Sequence, residues 1–458
     1  MIAISNPLVA NYRLIFASAS TRRIVVERSE QEWRLPRIAI PRWTRSAEEI
    51  QTAIEERWGS RAVVLDLFGD GSLPNSRSPL ALAELRGSRD TRRLSRGRWA
   101  NLNEVGRHEI SYSERVLIAS LLDRGATGRG LFSRFGWVEE ALDWLSSETG
   151  IDRPQFSDDI KQFNAGESCA LVRFGRKDAP PLWFKANATP SNSEYSITTK
   201  LSQLVPGFLP TVVATRKDWR AWWMEDAGCP FADSRSPDSL ADALARLAEL
   251  QRASISFTSA LFAGGCSDRR VSTLRSRISQ IIDSIDDAIS QQESSFAPKL
   301  ASSRIRELGF VLDEACLRLD ELGIPNTLLH GDICLENILA GPRGSVFTDW
   351  ANAAVGNPFI TFEQLRAQIA QESGSGIWLQ SVTDTYREQW LDVLTHRQID
   401  CALIDVQPIA IMSYLLDHWD WIVSERRHEL QFQRYLRGMA RQIDRAARAL
   451  EPGDARCA

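Results

Sequence analysis

His330-Gly331-Asp332-Ile333-Cys334-Leu335-Glu336-Asn337, with Asp349-Trp350 further on, is the stretch on which the reading of this chain turns. An Asp and an Asn stand five residues apart, and a second Asp follows twelve residues later, just past the apolar segment Gly344 to Phe347. Phosphoryl transfer needs this set of groups. One carboxylate orients the attacking hydroxyl and takes its proton, while an amide oxygen and another carboxylate hold the cations that neutralise a triphosphate. Oxygen donors suit Mg²⁺, a hard ion usually held by one or two carboxylates together with phosphate oxygens.

These residues resemble the aminoglycoside phosphotransferase and choline kinase family, whose loop reads His-Gly-Asp, four residues, then Asn, with Asp-Trp often standing where protein kinases have Asp-Phe-Gly. The resemblance implies an α+β, bilobal protein-kinase-like fold with a small β-rich N-lobe and a large helical C-lobe. It implies ATP and Mg²⁺ as cofactors, Asp332 as catalytic base, and Asn337 and Asp349 as metal ligands. His330 would brace the loop by hydrogen bonding. Segments 326–329 and 345–348, around the turn Gly341-Pro342-Arg343-Gly344, read as a hairpin behind the loop. Beyond Trp350, Val355-Gly356-Asn357-Pro358-Phe359 is close to the family's Gly-Asp-Pro segment. Asn357 stands where Asp is common, and Thr361 where a second Asp often sits.

Lysine usage is the independent check. Among 55 Lys plus Arg there are six lysines, five of them between 161 and 217. Lys185 closes the apolar run Leu182-Trp183-Phe184, whose partner strand is expected at Ala170 to Phe174. Taken alone, a lysine at a strand end is also an ordinary solvated edge residue. By the resemblance, Lys185 reaches the donor phosphates. Glu194, three residues after Ser191, caps its own helix, pairs with Lys185, or does both. Val212 to Ala214 and Ala221 to Met224 read as further strands. Glu225-Asp226-Ala227-Gly228 looks like the hinge that meets the adenine. The phosphate-covering loop is expected between Phe163 and Ala170, with Gly166 allowing close backbone approach and Ser168 offering a hydroxyl. Residues 136–228 thus read as the nucleotide-binding lobe and 229–450 as the helical lobe. In the latter, Trp378, Trp390, Trp419 and Trp421 with Asp417 and Asp420 either form a pocket for a cationic acceptor or simply pack.

Residues 1–125 precede the kinase-like part, with 126–135 as linker. A hairpin (Tyr12 to Phe16, Arg23 to Glu27), Trp33-Arg34-Leu35-Pro36, a helix from Ser46 to Trp58 with a Ser46/Glu49 capping box, Gly59 as its stop, and a strand from Arg61 to Phe68 look like a small α/β Nudix-like domain. Thr52, Ala53 and Arg57 fall where that family carries acidic or catalytic residues, leaving Glu56, so hydrolase activity is not expected. The Arg-rich run 86–98 lacks interleaved aromatics and reads as a solvated loop.

At 458 residues with 43% apolar and 25% charged residues, the chain has an ordinary globular composition. A net charge of −4 gives no reason to expect nucleic-acid binding. No stretch reads as long and apolar enough for a membrane span, and the first residues do not read as a secretion signal. Seven scattered cysteines suggest a reducing cytoplasm without disulfides or a zinc site. Cys334 reads either as a small space-filler or as a thiol whose alkylation blocks the loop. The expected activity is transfer of the γ-phosphoryl group of ATP to a hydroxyl on a small molecule. The alternative is a pseudokinase or nucleotide-sensing module built on the front domain.

Overall fold

The computed structural model describes residues 9–18, 21–29, 32–41, 44–68, 79–86, 97–107, 109–123, 130–166, 168–189, 193–234, 237–293, 297–373 and 376–450. It is a mixed fold of β-sheets and many helices. It divides into two compact units, Met1–Tyr195 with Val212–Asp226 and Ser196–Thr211 with Ala227–Ala458.

The first unit opens with a seven-stranded sheet made of β1 (Val9–Ser18), β2 (Thr21–Ser29), β3 (Glu32–Arg34), β4 (Arg37–Pro41), β5 (Arg61–Phe68), β6 (Leu80–Arg86) and β7 (Gly97–Ala100), with helix α1 (Ser46–Trp58) between β4 and β5. β1 pairs antiparallel with β2 and β4, and parallel with β6. The alternation of side chains along a strand explains why both faces are apolar. Leu14, Phe16, Val25, Ala62 and Val64 pack with Ile50, Ile54 and Trp58 of α1. Their neighbours Ile15, Ile24, Val26, Val63 and Leu65 face a different core. Gly59 ends α1 in the left-handed conformation with φ 62°, as its position suggests. The expected Ser46/Glu49 box does not form. The helix starts one residue earlier in register, with Arg45 at the N-cap and no side chain capping it.

That second core is shared. It continues through α2 (Tyr112–Leu122) and α3 (Trp137–Thr149) into a five-stranded sheet of β8 (Phe156–Asn164), β9 (Cys169–Arg176), β10 (Leu182–Asn187), β11 (Val212–Arg216) and β12 (Ala221–Glu225), where Phe132, Trp137, Phe184 and Trp223 interlock. The strand order is β11-β12-β10-β9-β8. Polar groups join the two sheets as well. The amide of Gln162 on β8 accepts from Val64 N–H at 2.8 Å and donates to Val64 C=O at 2.7 Å, where β5 slips register against β6. Gln51 of α1 accepts from Gln162 N–H at 2.9 Å. A buried Arg13–Glu114 pair ties β1 to α2, whose first turn Ser111 and Glu114 cap reciprocally.

α4 (Glu194–Leu204) begins in the first unit and runs into the second. The second unit continues with β13 (Cys229–Pro230), α5 (Phe231–Ser234), α6 (Pro237–Ser254), α7 (Thr258–Gly264), β14 (Ser267–Arg269), α8 (Val271–Ser276), α9 (Ile278–Ser290) and α10 (Ser302–Glu321). Then come β15 (Thr327–Leu329), β16 (Ile338–Gly341), β17 (Gly344–Phe347), β18 (Ala354–Gly356), α11 (Phe359–Ser373), α12 (Gly376–Glu388), α13 (His396–Leu415), α14 (Trp419–Val423) and α15 (Leu430–Arg448). The hairpin behind the loop exists, with a different partner from the one expected. β17 pairs with β16 across the turn, Gly341 opposite Gly344, whereas β15 pairs with β18. A two-residue connection leaves β17 no other neighbour to fold against, and Asp242 fixes it by accepting from Ser345 N–H at 2.7 Å. The stretch His396–Val423 is long and apolar enough to span a membrane, which the sequence reading did not anticipate. In its most apolar window 67% is buried inside the protein. Among the described cysteines, Cys169, Cys229, Cys266, Cys316 and Cys334 are free, and Cys401 is disulfide-bonded, against the expectation of no disulfide.

Candidate functional site

The His330–Asn337 loop leaves β15 through a turn that only glycine can make. Gly331 has φ +80°, and a Cβ there would lie 2.0 Å from the carbonyl oxygen of Asn352. His330 is buried. Its Nε2 stands 2.7 Å from the Thr348 carbonyl oxygen, and its ring packs 4.5 Å from that of Trp350. The His330 backbone N–H donates to the Thr361 hydroxyl at 3.3 Å. Thr361 therefore braces the loop through its hydroxyl. Asn357 caps the next helix, its side-chain oxygen accepting from Phe359 N–H at 3.1 Å. Leu335 N–H donates to Gln368 at 3.1 Å, while Ile333 and Leu335 anchor the loop in the core.

Three oxygen-bearing side chains of this unit are set by that frame. Asn337 donates through Nδ2 to the carbonyl of Asp332 at 3.0 Å, which turns the amide so that Oδ1 is the atom left for a ligand. Its own carbonyl accepts from Thr348 N–H at 2.9 Å, fixing the residue before Asp349. Asp349 is one of two described non-glycine residues in the left-handed region, with φ 65°. Such a conformation costs about 1–3 kcal/mol and persists where the surroundings impose it. The Asp332 carboxyl is pushed above its usual range, first by burial, then by the negative charge of Asp349, with His418 opposing. The Asp349 carboxylate and the Asn337 amide oxygen fit Mg²⁺ in both hardness and charge. Among the described residues no group of three or more His, Cys, Asp or Glu could hold a metal. A ligand set of one carboxylate and one amide is what Mg²⁺ accepts when phosphate oxygens and water complete the shell.

In the first unit, β10 places Lys185 opposite Leu171 of β9 and Trp222 of β12. Its ammonium forms an ion pair with Glu194, which is almost wholly buried at the start of α4, and lies 5.9 Å from the Trp222 ring centroid. Of the two readings of Glu194, pairing is therefore present. The capping partner, Ser191, lies outside the described residues. β8 and β9 extend further than expected and confine the loop between them to 165–168. A Cβ built at Gly166 would meet the Cys169 sulfur at 3.4 Å, ordinary van der Waals contact. Ser168 holds the loop through its carbonyl, which accepts from Ala188 N–H at 2.6 Å. Asp226 ends this unit, accepting from Trp183 Nε1 at 3.1 Å and pairing with Arg173 at 3.7 Å.

No protein-family model matches this chain, and no curated protein matches it. Among solved structures it is similar to choline kinase from Cryptosporidium parvum Iowa II, at 14% identity and TM-score 0.48 over 68% of this chain and 96% of that one. It is also similar to an ethanolamine kinase of Plasmodium vivax (13% identity, TM-score 0.44, 66% and 86% of the chains). A third such structure is the macrolide 2'-phosphotransferase of Brachybacterium faecium (16% identity, TM-score 0.42, 69% and 100%).

The structure adds neighbours of Asp332 that the sequence reading did not single out. Tyr414 and His418 lie one helical turn apart, and both interact electrostatically with Asp332. The His418 ring packs 4.9 Å from that of Tyr435. Asp417 pairs with Arg269 at 3.0 Å, yet burial pushes its carboxyl up to about 6, Arg269 opposing and Asp332 adding to the rise. The polar pair on an otherwise apolar helix was the available signal. The aromatic and acidic pocket is only partly assembled. Trp390 is in the core against Phe359 and Tyr386, Asp420 is exposed, and the Trp378 side chain lies outside those described. Arg277 and Arg426 cover the faces of Trp419 and Trp421, at 4.5 and 3.5 Å from the centroids.

Cys334 is a partly buried free thiol. Burial, with Glu336 and Asp332 adding negative charge, pushes its thiol up to about 12, so almost none is thiolate at neutral pH. Iodoacetamide at pH 7 is expected to modify the exposed Cys229 well before Cys334, as peptide mass spectrometry of a time course will read.

Proposed function

We propose that this chain is a small-molecule kinase, transferring the γ-phosphoryl group of ATP to a hydroxyl of a small metabolite or antibiotic-like acceptor. The observation that carries this reading is the set made by Asp332, Asn337 and Asp349. Burial, and after it the negative charge of Asp349, raises the Asp332 carboxyl, and an amide is turned by its bond to Asp332 so that its oxygen can ligate. In this reading Asp332 orients the acceptor hydroxyl and takes its proton as the new P–O bond forms. Asn337 and Asp349 hold Mg²⁺, which would neutralise charge on the donor phosphates when bound. Lys185, held in place by its ion pair with Glu194, binds those phosphates. Gly166 through its backbone, Ser168 through its hydroxyl and Asp226 through the hinge backbone belong to the nucleotide-binding part. The bilobal kinase-like organisation belongs to the same proposal, as do a Nudix-like ancestry for residues 1–125 without hydrolase activity and the absence of nucleic-acid or membrane partners. The Arg57 guanidinium, bound to Glu27 and to the Arg37 carbonyl, occupies a position where hydrolysis would need a carboxylate.

The test is Mg²⁺-dependent ATP consumption by the full chain, read with and without a library of hydroxylated metabolites. Slow basal turnover should accelerate with one acceptor class, and mass spectrometry should find that acceptor heavier by one phosphoryl group. Absence of both nucleotide binding by calorimetry and acceptor-dependent turnover rejects the reading.

A further inference from the structure

We propose that the front sheet carries a separate binding site for a small phosphorylated metabolite. A cavity of about 870 Å³ opens on β1, β3, β4 and α1, within the size range of small-molecule sites. Arg13, Arg34, Arg37 and Arg57 line it, with two carboxylates, Glu56 and Glu109, so guanidiniums outnumber carboxylates on the lining itself. The carboxylates that hold Arg13, Arg57 and Arg34, namely Glu114, Glu27 and Glu32, do not line the cavity.

Arg13 is buried against Glu114 and the Glu109 carbonyl, and it serves as a support. The other three guanidiniums are partly exposed and use only a fraction of their five donors. Arg37 donates to Glu109 at 2.8 Å, which also neutralises that wall carboxylate. Arg57 is set in place before any ligand arrives. It donates to Glu27 at 2.9 Å and to the Arg37 carbonyl, and stacks 4.6 Å from the Trp58 ring centroid. Trp58 Nε1 in turn fixes Glu27 at 2.8 Å. Among the described residues, Arg34 has only a 3.5 Å contact with the exposed Glu32. Three guanidinium forks from three elements around one concave space match the tetrahedral, multiply acceptor-rich surface of a phosphate better than a single carboxylate. Glu56 is the one wall carboxylate outside an ion pair among the described residues, and it marks the side an anion avoids.

The site is independent of Lys185, and the proposal stands or falls apart from the kinase reading. Its test is calorimetry of the full chain with inorganic pyrophosphate in EDTA, with citrate as the carboxylate comparison. We expect the Lys185→Met protein to keep binding pyrophosphate. Arg34→Ser should weaken it about tenfold, the effect of losing one charge-assisted hydrogen bond. Glu56→Gln should tighten it, a gain that misfolding cannot produce, and added salt should weaken it. No heat at millimolar pyrophosphate, loss of binding with Lys185→Met, indifference to both Arg34→Ser and Glu56→Gln, or tighter binding of citrate would each overturn the proposal.

Discussion

Asp332→Asn is expected to lower turnover by about 10²–10⁴, the usual contribution of a positioned general base, while nucleotide binding persists. The substitution is close to isosteric. It keeps the backbone carbonyl that accepts from Asn337, so the loop frame and the orientation of that amide survive. It also removes a charge that burial and Asp349 both disfavour. A residue retained for stability would cost stability when changed. This one should melt no lower than the wild type, because its ionised form is penalised in the folded protein. The sign follows from the direction of the shift: a carboxyl raised on folding opposes folding wherever it is ionised. Single-turnover kinetics and thermal unfolding of the same preparation separate the two roles. Near wild-type turnover would remove Asp332 from the chemistry, and a lowered melting temperature would make it a structural residue.

Local signals were the legible part of this molecule. Helix α1 and strand β5 fall on the residues expected of them, because Ile50, Ile54 and Trp58 lie on one helical face and Gly59 can stop the helix in the left-handed conformation. The pairing of β9 with β10 followed from two apolar runs around a turn-rich connection, and it sets Lys185 opposite Leu171. The short strands of the second unit were harder. Ile338 to Gly341 follows Asn337 directly, so its apolar run was absorbed into the loop and β15 was assigned as the hairpin partner instead. A three-residue strand carries too little pattern to reveal its neighbour. Here the neighbour of β15 is β18, helped by the Ser254 hydroxyl accepting from Leu328 N–H at 2.7 Å across 74 positions.

Long-range polar contacts were out of reach for the same reason. Nothing near Arg269 points to Asp417, and nothing in β8 announces that Gln162 will pair with the backbone of Val64. Substituted bracing positions are intermediate cases. Thr361 reads as a departure from the resemblance, and in the folded chain its hydroxyl accepts the His330 N–H. That contact needs one acceptor and no charge, so a hydroxyl suffices. The reading by residue type failed where the geometry asked only for an atom.

Gly331→Ala is expected to abolish turnover and to destabilise the second unit by about 4 kcal/mol or more, at the large end of single-residue effects, because two named mechanisms act together. The first is conformational: φ +80° is ordinary for glycine and strained for alanine. The second is steric. The added carbon would sit 2.0 Å from the Asn352 oxygen, 2.7 Å from its carbonyl carbon and 3.0 Å from its Cβ. Two of those three atoms are backbone, in the short helical turn Trp350–Asn352 that follows Asp349, so no flexible side chain can swing away. Relief must come from moving the His330–Asn337 loop or the segment after Asp349, and either movement shifts Asp332 and Asn337 relative to Asp349. By contrast, alanine at Gly438 on α15 meets nothing within 4 Å and serves as the control for a harmless added methyl. Denaturant unfolding of both variants, with turnover measured in parallel, reads the difference. If Gly331→Ala unfolds with the wild type and keeps its activity, the close approach of the loop to Asn352 is not what holds the three oxygen donors in place.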